Sequence, residues 1–158
     1  MVPVVKIYYV LPPLFYLLIA LAGRWFTAQG INSWYPALVK PVYTPPGGFI
    51  SAMWTVVYIF TALSLIVFIS RARSSPVFWT VILLYIVNGL LNALWSYLFF
   101  VQHFLGLAVF DAALLAATLT LIMIMARRYS YLASVLLMPY FLWVCSATYL
   151  AFDIFRLN

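Results

Sequence analysis

Trp34-Tyr35-Pro36-Ala37-Leu38-Val39-Lys40-Pro41-Val42-Tyr43-Thr44-Pro45-Pro46 is the one irregular, ring-rich stretch in an otherwise apolar chain. Its four prolines forbid a continuous helix, because each fixes φ, removes an N–H donor and restricts the residue before it. The stretch therefore reads as a loop. Trp34, Tyr35 and Tyr43 are rings with polar handles, which favour a place half apolar and half wet. A loop of this make-up between two membrane spans looks like a lid over a cavity.

Outward from the loop the chain is almost uniformly apolar. Its 158 residues are 68% hydrophobic, 20% aromatic and 6% charged, which leaves too little polar surface for a soluble domain and ample length for several spans. Uninterrupted apolar runs place spans near 5–27, 49–70, 76–101, 105–128 and 131–155. The expected fold is an all-α integral membrane bundle of five transmembrane helices in a single domain over 1–158, with a long loop, 28–48, between the first two. The first run carries Pro12-Pro13, which implies either a kink or a later start to the regular helix. It is kept as a span, not a cleaved leader, because Arg24-Trp25 stands where processing would fall. The short connections after the second, third and fourth spans predict close antiparallel neighbours. Pro139 predicts a bend in the last span.

Eight Lys/Arg against two Asp give a formal +6, which in a membrane protein records topology and contact with anionic headgroups. No nucleic-acid patch is present, since the basic residues cluster only as Arg71/Arg73 and Arg127/Arg128. An N-in, C-out orientation puts Lys6, Arg71, Arg73, Arg127 and Arg128 inside, against Arg24, Lys40 and Arg156 outside. Cys145 is the single cysteine, so it forms no internal disulfide and fits no metal-ligand spacing; it reads as a small apolar residue packed in a helix.

Polar groups inside spans must face the bundle interior and find partners. Asn88, Asn92, Trp95 and Phe99 share one face of the third span. They read either as interhelical glue or as the wall of a ligand cavity. Trp54, Tyr58 and Thr61 form a stripe on the second span, and Tyr140, Trp143, Ala147 and Leu150 one on the fifth. Three such stripes under a ring-rich loop suit a flat, ring-shaped ligand. Asp111 in the fourth span reads either as paired with a neighbouring helix or as a ligand or proton group. Ala108, Ala112 and Ala116 form a small-residue row for close packing, within the bundle or across a dimer. The single histidine, His103, reads as a solvated loop residue, and no nucleophilic triad or paired-carboxylate site can be assembled, so no catalytic residue is assigned.

These motifs resemble the translocator protein family, also called tryptophan-rich sensory proteins or peripheral benzodiazepine receptors, and the chain is similar to its prokaryotic type. Trp34, Tyr35, Leu38, Lys40, Pro41, Pro45 and Pro46 match the family's W-Y-x-x-L-x-K-P-x-W-x-P-P, with Tyr43 in place of the second tryptophan. Asn92-Ala93-Leu94-Trp95 with Phe99-Phe100, and Pro139-Tyr140 with Trp143 and Ala147, are similar to its third- and fifth-helix motifs. The resemblance implies a membrane receptor or translocator that binds porphyrins such as protoporphyrin or haem, or other flat hydrophobic ligands, between the second, third and fifth helices. The implied ligand residues are Trp34, Tyr35, Pro45, Trp54, Asn88, Asn92, Trp95, Tyr140, Trp143 and Ala147. It implies a homodimer in the lipid bilayer, in the plasma membrane of a prokaryote, with no required cofactor and porphyrin as ligand. Transport and light- or oxygen-dependent porphyrin degradation are the alternatives it leaves open, and a purely structural membrane protein is a further one. A sterol is less well suited, because Leu150 and Arg156 flank Phe152 where the family's sterol pattern has tyrosine, and Ala151 replaces a common asparagine.

Overall fold

The structure, a computed structural model, describes residues 5–158, with side chains from residue 7 onward. The Lys6 side chain, counted above for orientation, lies outside the described residues. Each apolar run is helical, because a backbone without water must satisfy its own N–H and C=O groups. The helices are α1 (Val5–Gly30), α2 (Gly47–Ala72), α3 (Phe78–Phe100), α4 (Leu105–Arg127), α5 (Tyr131–Leu136) and α6 (Met138–Leu157). A helix of 23 residues, as in α3 and α4, is about 35 Å long and crosses the hydrocarbon layer. Five segments meet the length and hydropathy of membrane spans, so the protein is an integral multi-pass membrane protein.

Two expectations about breaks resolve differently. α1 runs without interruption through Pro12 and Pro13, as membrane helices tolerate. The last span does break: α5 ends and α6 begins around Leu137, with Pro139 in the first turn of α6. Ser130 caps α5 by accepting from the Ala133 N–H at 3.2 Å. α1 extends to Gly30 and α2 starts at Gly47, so the long loop covers 31–46 and not 28–48.

The five spans close a ring in the order α1, α2, α5/α6, α4, α3. This corrects the expectation that every short connection joins close neighbours. The backbones of α2 and α3 approach each other at few points, since α1 packs against both, and they meet through long side chains across the interior. Gly30 and Gly89 permit that packing. A Cβ on Gly30 would lie 2.5 Å from the Phe100 carbonyl oxygen, and one on Gly89 would lie 2.7 Å from the Phe15 ring.

Val57, Phe68, Tyr85, Leu115, Leu119, Tyr140 and Val144 anchor the core. The outer faces are equally apolar, with Leu14, Leu17, Leu21, Ile59, Leu83, Ile124 and Leu142 exposed toward lipid. Lipid offers no hydrophobic drive for helix association, so packing and interhelical hydrogen bonds decide the ring. Ser64 of α2 shows this: its hydroxyl donates to the Ala133 carbonyl at 2.6 Å and lies 2.7 Å from the Tyr85 hydroxyl, while Tyr16 donates to the Tyr85 carbonyl. Ala108 and Ala112 are buried inside the bundle, which is where the small-residue row acts. Cys145 is exposed on the outer face of α6, contrary to the packed position expected of it. The helical period alone turns it outward, beside buried Trp143 and Val144.

Candidate ligand site

Trp54 lies about two turns into α2, facing α6. Its indole meets Trp143 edge to face at 6.3 Å, Tyr140 at 6.4 Å and the Tyr58 ring at 5.9 Å. A chain of hydrogen bonds runs beneath these rings. The Tyr58 hydroxyl donates to Asn92 Oδ1 at 2.7 Å, and Asn92 Nδ2 donates to the Tyr140 hydroxyl at 3.1 Å. One amide thus ties α2, α3 and α6 together.

Three polar atoms in this interior have no hydrogen-bond partner among the described residues. They are Trp143 Nε1 and both carboxylate oxygens of Asp111. Asp111 is 3% exposed and within electrostatic range of the Tyr140 phenol. The pairing expected for Asp111 is therefore not made. Asn88, one turn before Asn92, directs its amide nitrogen elsewhere: Nδ2 donates to the Leu115 carbonyl at 3.1 Å and to the Thr118 hydroxyl at 2.8 Å, fastening α3 to α4.

The loop residues form a second cluster nearer the membrane surface. Trp34 packs edge-on to Phe99 at 5.2 Å and stacks on His103 at 4.2 Å, while Tyr35 lies against Phe99 and Phe100. His103 is exposed and takes a left-handed backbone with φ of 59° in the turn between α3 and α4. Trp95 joins the two clusters, stacking on Phe99 at 4.9 Å and packing against the main core. Pro45 is half-buried just before α2, and Ala147 half-buried one turn beyond Trp143 on α6.

Backbone clasps hold the loop down. The Val39 N–H donates to Asn158 Oδ1 and Asn158 Nδ2 donates to the Val39 carbonyl, both at 3.0 Å. The Tyr43 hydroxyl donates to the Asp153 carboxylate, and its ring stacks on Tyr149 at 6.1 Å. That bond to a carboxylate, with some loss of hydration, pushes the Tyr43 phenol up to about 12. Partial burial raises the Tyr35 phenol. The Lys40 ammonium donates to the Tyr35 and Leu38 carbonyls, each at 2.9 Å, and sits over the Tyr35 ring at 4.8 Å.

The expectation was a ligand cavity beneath a lid, and at its centre two of the expected residues are in direct contact. A planar ligand held between two faces needs them roughly 7 Å apart, twice the van der Waals contact distance. Trp54 and Trp143 meet edge to face at 6.3 Å, so a ligand stacked between these two indoles would have to part them. Sequence spacing had placed Asn88 and Asn92 on one face, but one turn of helix is enough to give them different partners. The Trp34–His103 stack carried no sequence signal, because it depends on where the loop folds back.

A family model described as the TspO/MBR family matches residues 13–157. The chain is 38% identical to the tryptophan-rich protein TspO of Bacillus cereus over 80% of its length and 82% of that protein. It is 37% identical to the uncharacterized membrane protein YtaB of Bacillus subtilis over 90% of both chains. It is 36% identical to the tryptophan-rich protein TspO of Archaeoglobus fulgidus over 90% of its length and 91% of the relative.

Proposed function

The chain belongs to the TspO/MBR family of membrane proteins, and from that premise we propose that it is a receptor for porphyrins or other flat hydrophobic ligands, bound in the aromatic interior among α2, α3 and α6. One observation carries the reading: Trp143 Nε1 and the Asp111 carboxylate oxygens are buried without hydrogen-bond partners among the described residues. An unsatisfied buried polar group costs about 1–3 kcal/mol, more if charged, and is retained where something supplies its partner. A ligand with an acceptor for the indole N–H and a donor for the carboxylate meets both needs. Protoporphyrin has both in its two propionic acid groups: an ionised one accepts from the indole N–H and a protonated one donates to the carboxylate. Ring stacking on Trp54, Trp143 and Trp95 would supply the apolar contact.

Purified protein in detergent, titrated with free-base protoporphyrin, tests the reading through the porphyrin absorption band and quenching of tryptophan fluorescence. Saturable binding that weakens in Asp111→Asn and Trp143→Phe supports it. A second reading, light- and oxygen-dependent turnover of the bound porphyrin, is favoured by the contact between the oxidisable indoles of Trp54 and Trp143. Illumination of the complex in air separates the two.

A further inference from the structure

The end of the bundle opposite the loop carries Arg71, Arg73, Arg127 and Arg128 and no acidic side chain, because the only two, Asp111 and Asp153, lie toward the other end. Two clefts open there. One, of about 190 Å³, is lined by Tyr8, Tyr9, Ile66, Ile69, Ser70 and Arg73 along the outer seam of α1 and α2. The other, of about 430 Å³, is lined by Ser70, Arg71, Arg73, Ser74, Ser75 and Tyr129, among others, beneath the turn into α3. They share Ser70 and Arg73 and so lie side by side along one channel-like surface, the narrower lined by Tyr9, Ile66 and Ile69 and the wider by arginines and serine hydroxyls. Arg73 is held in place, its guanidinium 4.1 Å from the centre of the Tyr8 ring. The buried Ser75 hydroxyl in the wider cleft has no partner among the described residues.

We propose that this channel is a discrete binding site for one anionic phospholipid, separate from the aromatic interior. The headgroup phosphate lies in the wider cleft between Arg71 and Arg73, accepting from the Ser74 and Ser75 hydroxyls while Ser70 stays bonded to the Val67 carbonyl, and an acyl chain follows the seam past Tyr9, Ile66 and Ile69. Charge complementarity selects the headgroup, since guanidinium forks pair well with phosphate and the site has no carboxylate to repel it. The apolar continuation selects a lipid over a free anion.

Native mass spectrometry of the delipidated full chain tests this with phosphatidylglycerol, phosphatidylcholine of the same acyl chains, and inorganic phosphate. One phosphatidylglycerol should bind saturably and in preference to phosphatidylcholine, and millimolar inorganic phosphate should not displace it. Arg71→Gln/Arg73→Gln should weaken that binding by roughly tenfold or more, the scale of two arginines facing an anionic headgroup. Arg127→Gln/Arg128→Gln removes the same charge from the same end and should leave it nearly unchanged. Equal loss in both double variants would mean diffuse attraction and overturn the site. Displacement by phosphate would make the occupant a free anion and equally overturn it. Should the first double variant fold poorly, Ser70→Trp fills the shared part of the channel with both arginines kept, and it must also abolish the preference.

Discussion

The indoles of Trp54 and Trp143 meet edge to face, centroids 6.3 Å apart and planes at 87°, and so join α2 to α6 across the interior. This contact helps hold α2 to α6, and a ligand stacked between the two indoles would have to replace it. Binding is therefore a difference between two sets of ring contacts. Trp143→Phe should weaken porphyrin binding by about 1 kcal/mol or somewhat more, from the smaller ring and the lost N–H. Isothermal or fluorescence titration reads this, and wild-type affinity in a folded Trp54→Phe/Trp143→Phe protein would rule the site out.

Tyr140→Phe takes away the acceptor for Asn92 Nδ2 at a position 1% exposed. The stranded amide should destabilise the bundle by about 1–3 kcal/mol. Thermal unfolding in detergent measures it. Tyr58→Phe should behave similarly by orphaning Asn92 Oδ1, and neutrality of both would show that water reaches this chain of hydrogen bonds.

Gly30→Ala puts a methyl group 2.5 Å from a backbone oxygen of α3, where no flexible side chain can yield. The ends of α1 and α3 must then separate, at about 1–3 kcal/mol or more for an overpacked contact. Gly89→Ala meets only the Phe15 ring, which can turn, so it should cost less. Melting temperatures of the two variants decide the order, and the reverse order would refute the packing assigned to α1.

The Tyr43 phenol gives a pH signature. Its folded value of about 12 lies above the usual tyrosine value near 10, so the neutral, donating form is favoured in the docked loop. The tether to Asp153 is fully present below pH of about 10 and is lost as pH rises through about 12. A difference absorbance titration of wild type minus Tyr43→Phe should show one phenol ionising near the upper value. Ionisation at the ordinary value would mean that the bond to Asp153 does not form in solution.

The fold was legible where it followed from local chemistry. Apolar runs located the five spans, Pro139 announced the break before α6, and the four prolines after Trp34 kept that segment out of a helix. The ring order was not legible. α2 and α3 are joined by residues 73–77 and yet their backbones are held apart by α1, an arrangement set by contacts such as Gly30 with Phe100 and Tyr16 with Tyr85. Helical face singled out Trp54, Tyr58, Asn92, Tyr140 and Trp143, and these side chains do meet in the fold. The same rule grouped Asn88 with Asn92, though Asn88 serves α4, and it could not show that Trp34 and Tyr35 settle on Phe99 and Phe100 in a layer of their own. Those positions depend on the Val39–Asn158 clasp, which joins residues 119 apart in the chain.

The account rests on the unpaired Asp111 and Trp143 being completed by a ligand. The most direct measurement is a parallel titration of wild type and Asp111→Asn with protoporphyrin and with its dimethyl ester, whose side chains carry no O–H. The account predicts that wild type binds the free acid more tightly and that Asp111→Asn loses most of that preference while still folding. Equal affinity of wild type for both porphyrins, or a preference unchanged in Asp111→Asn, would contradict it.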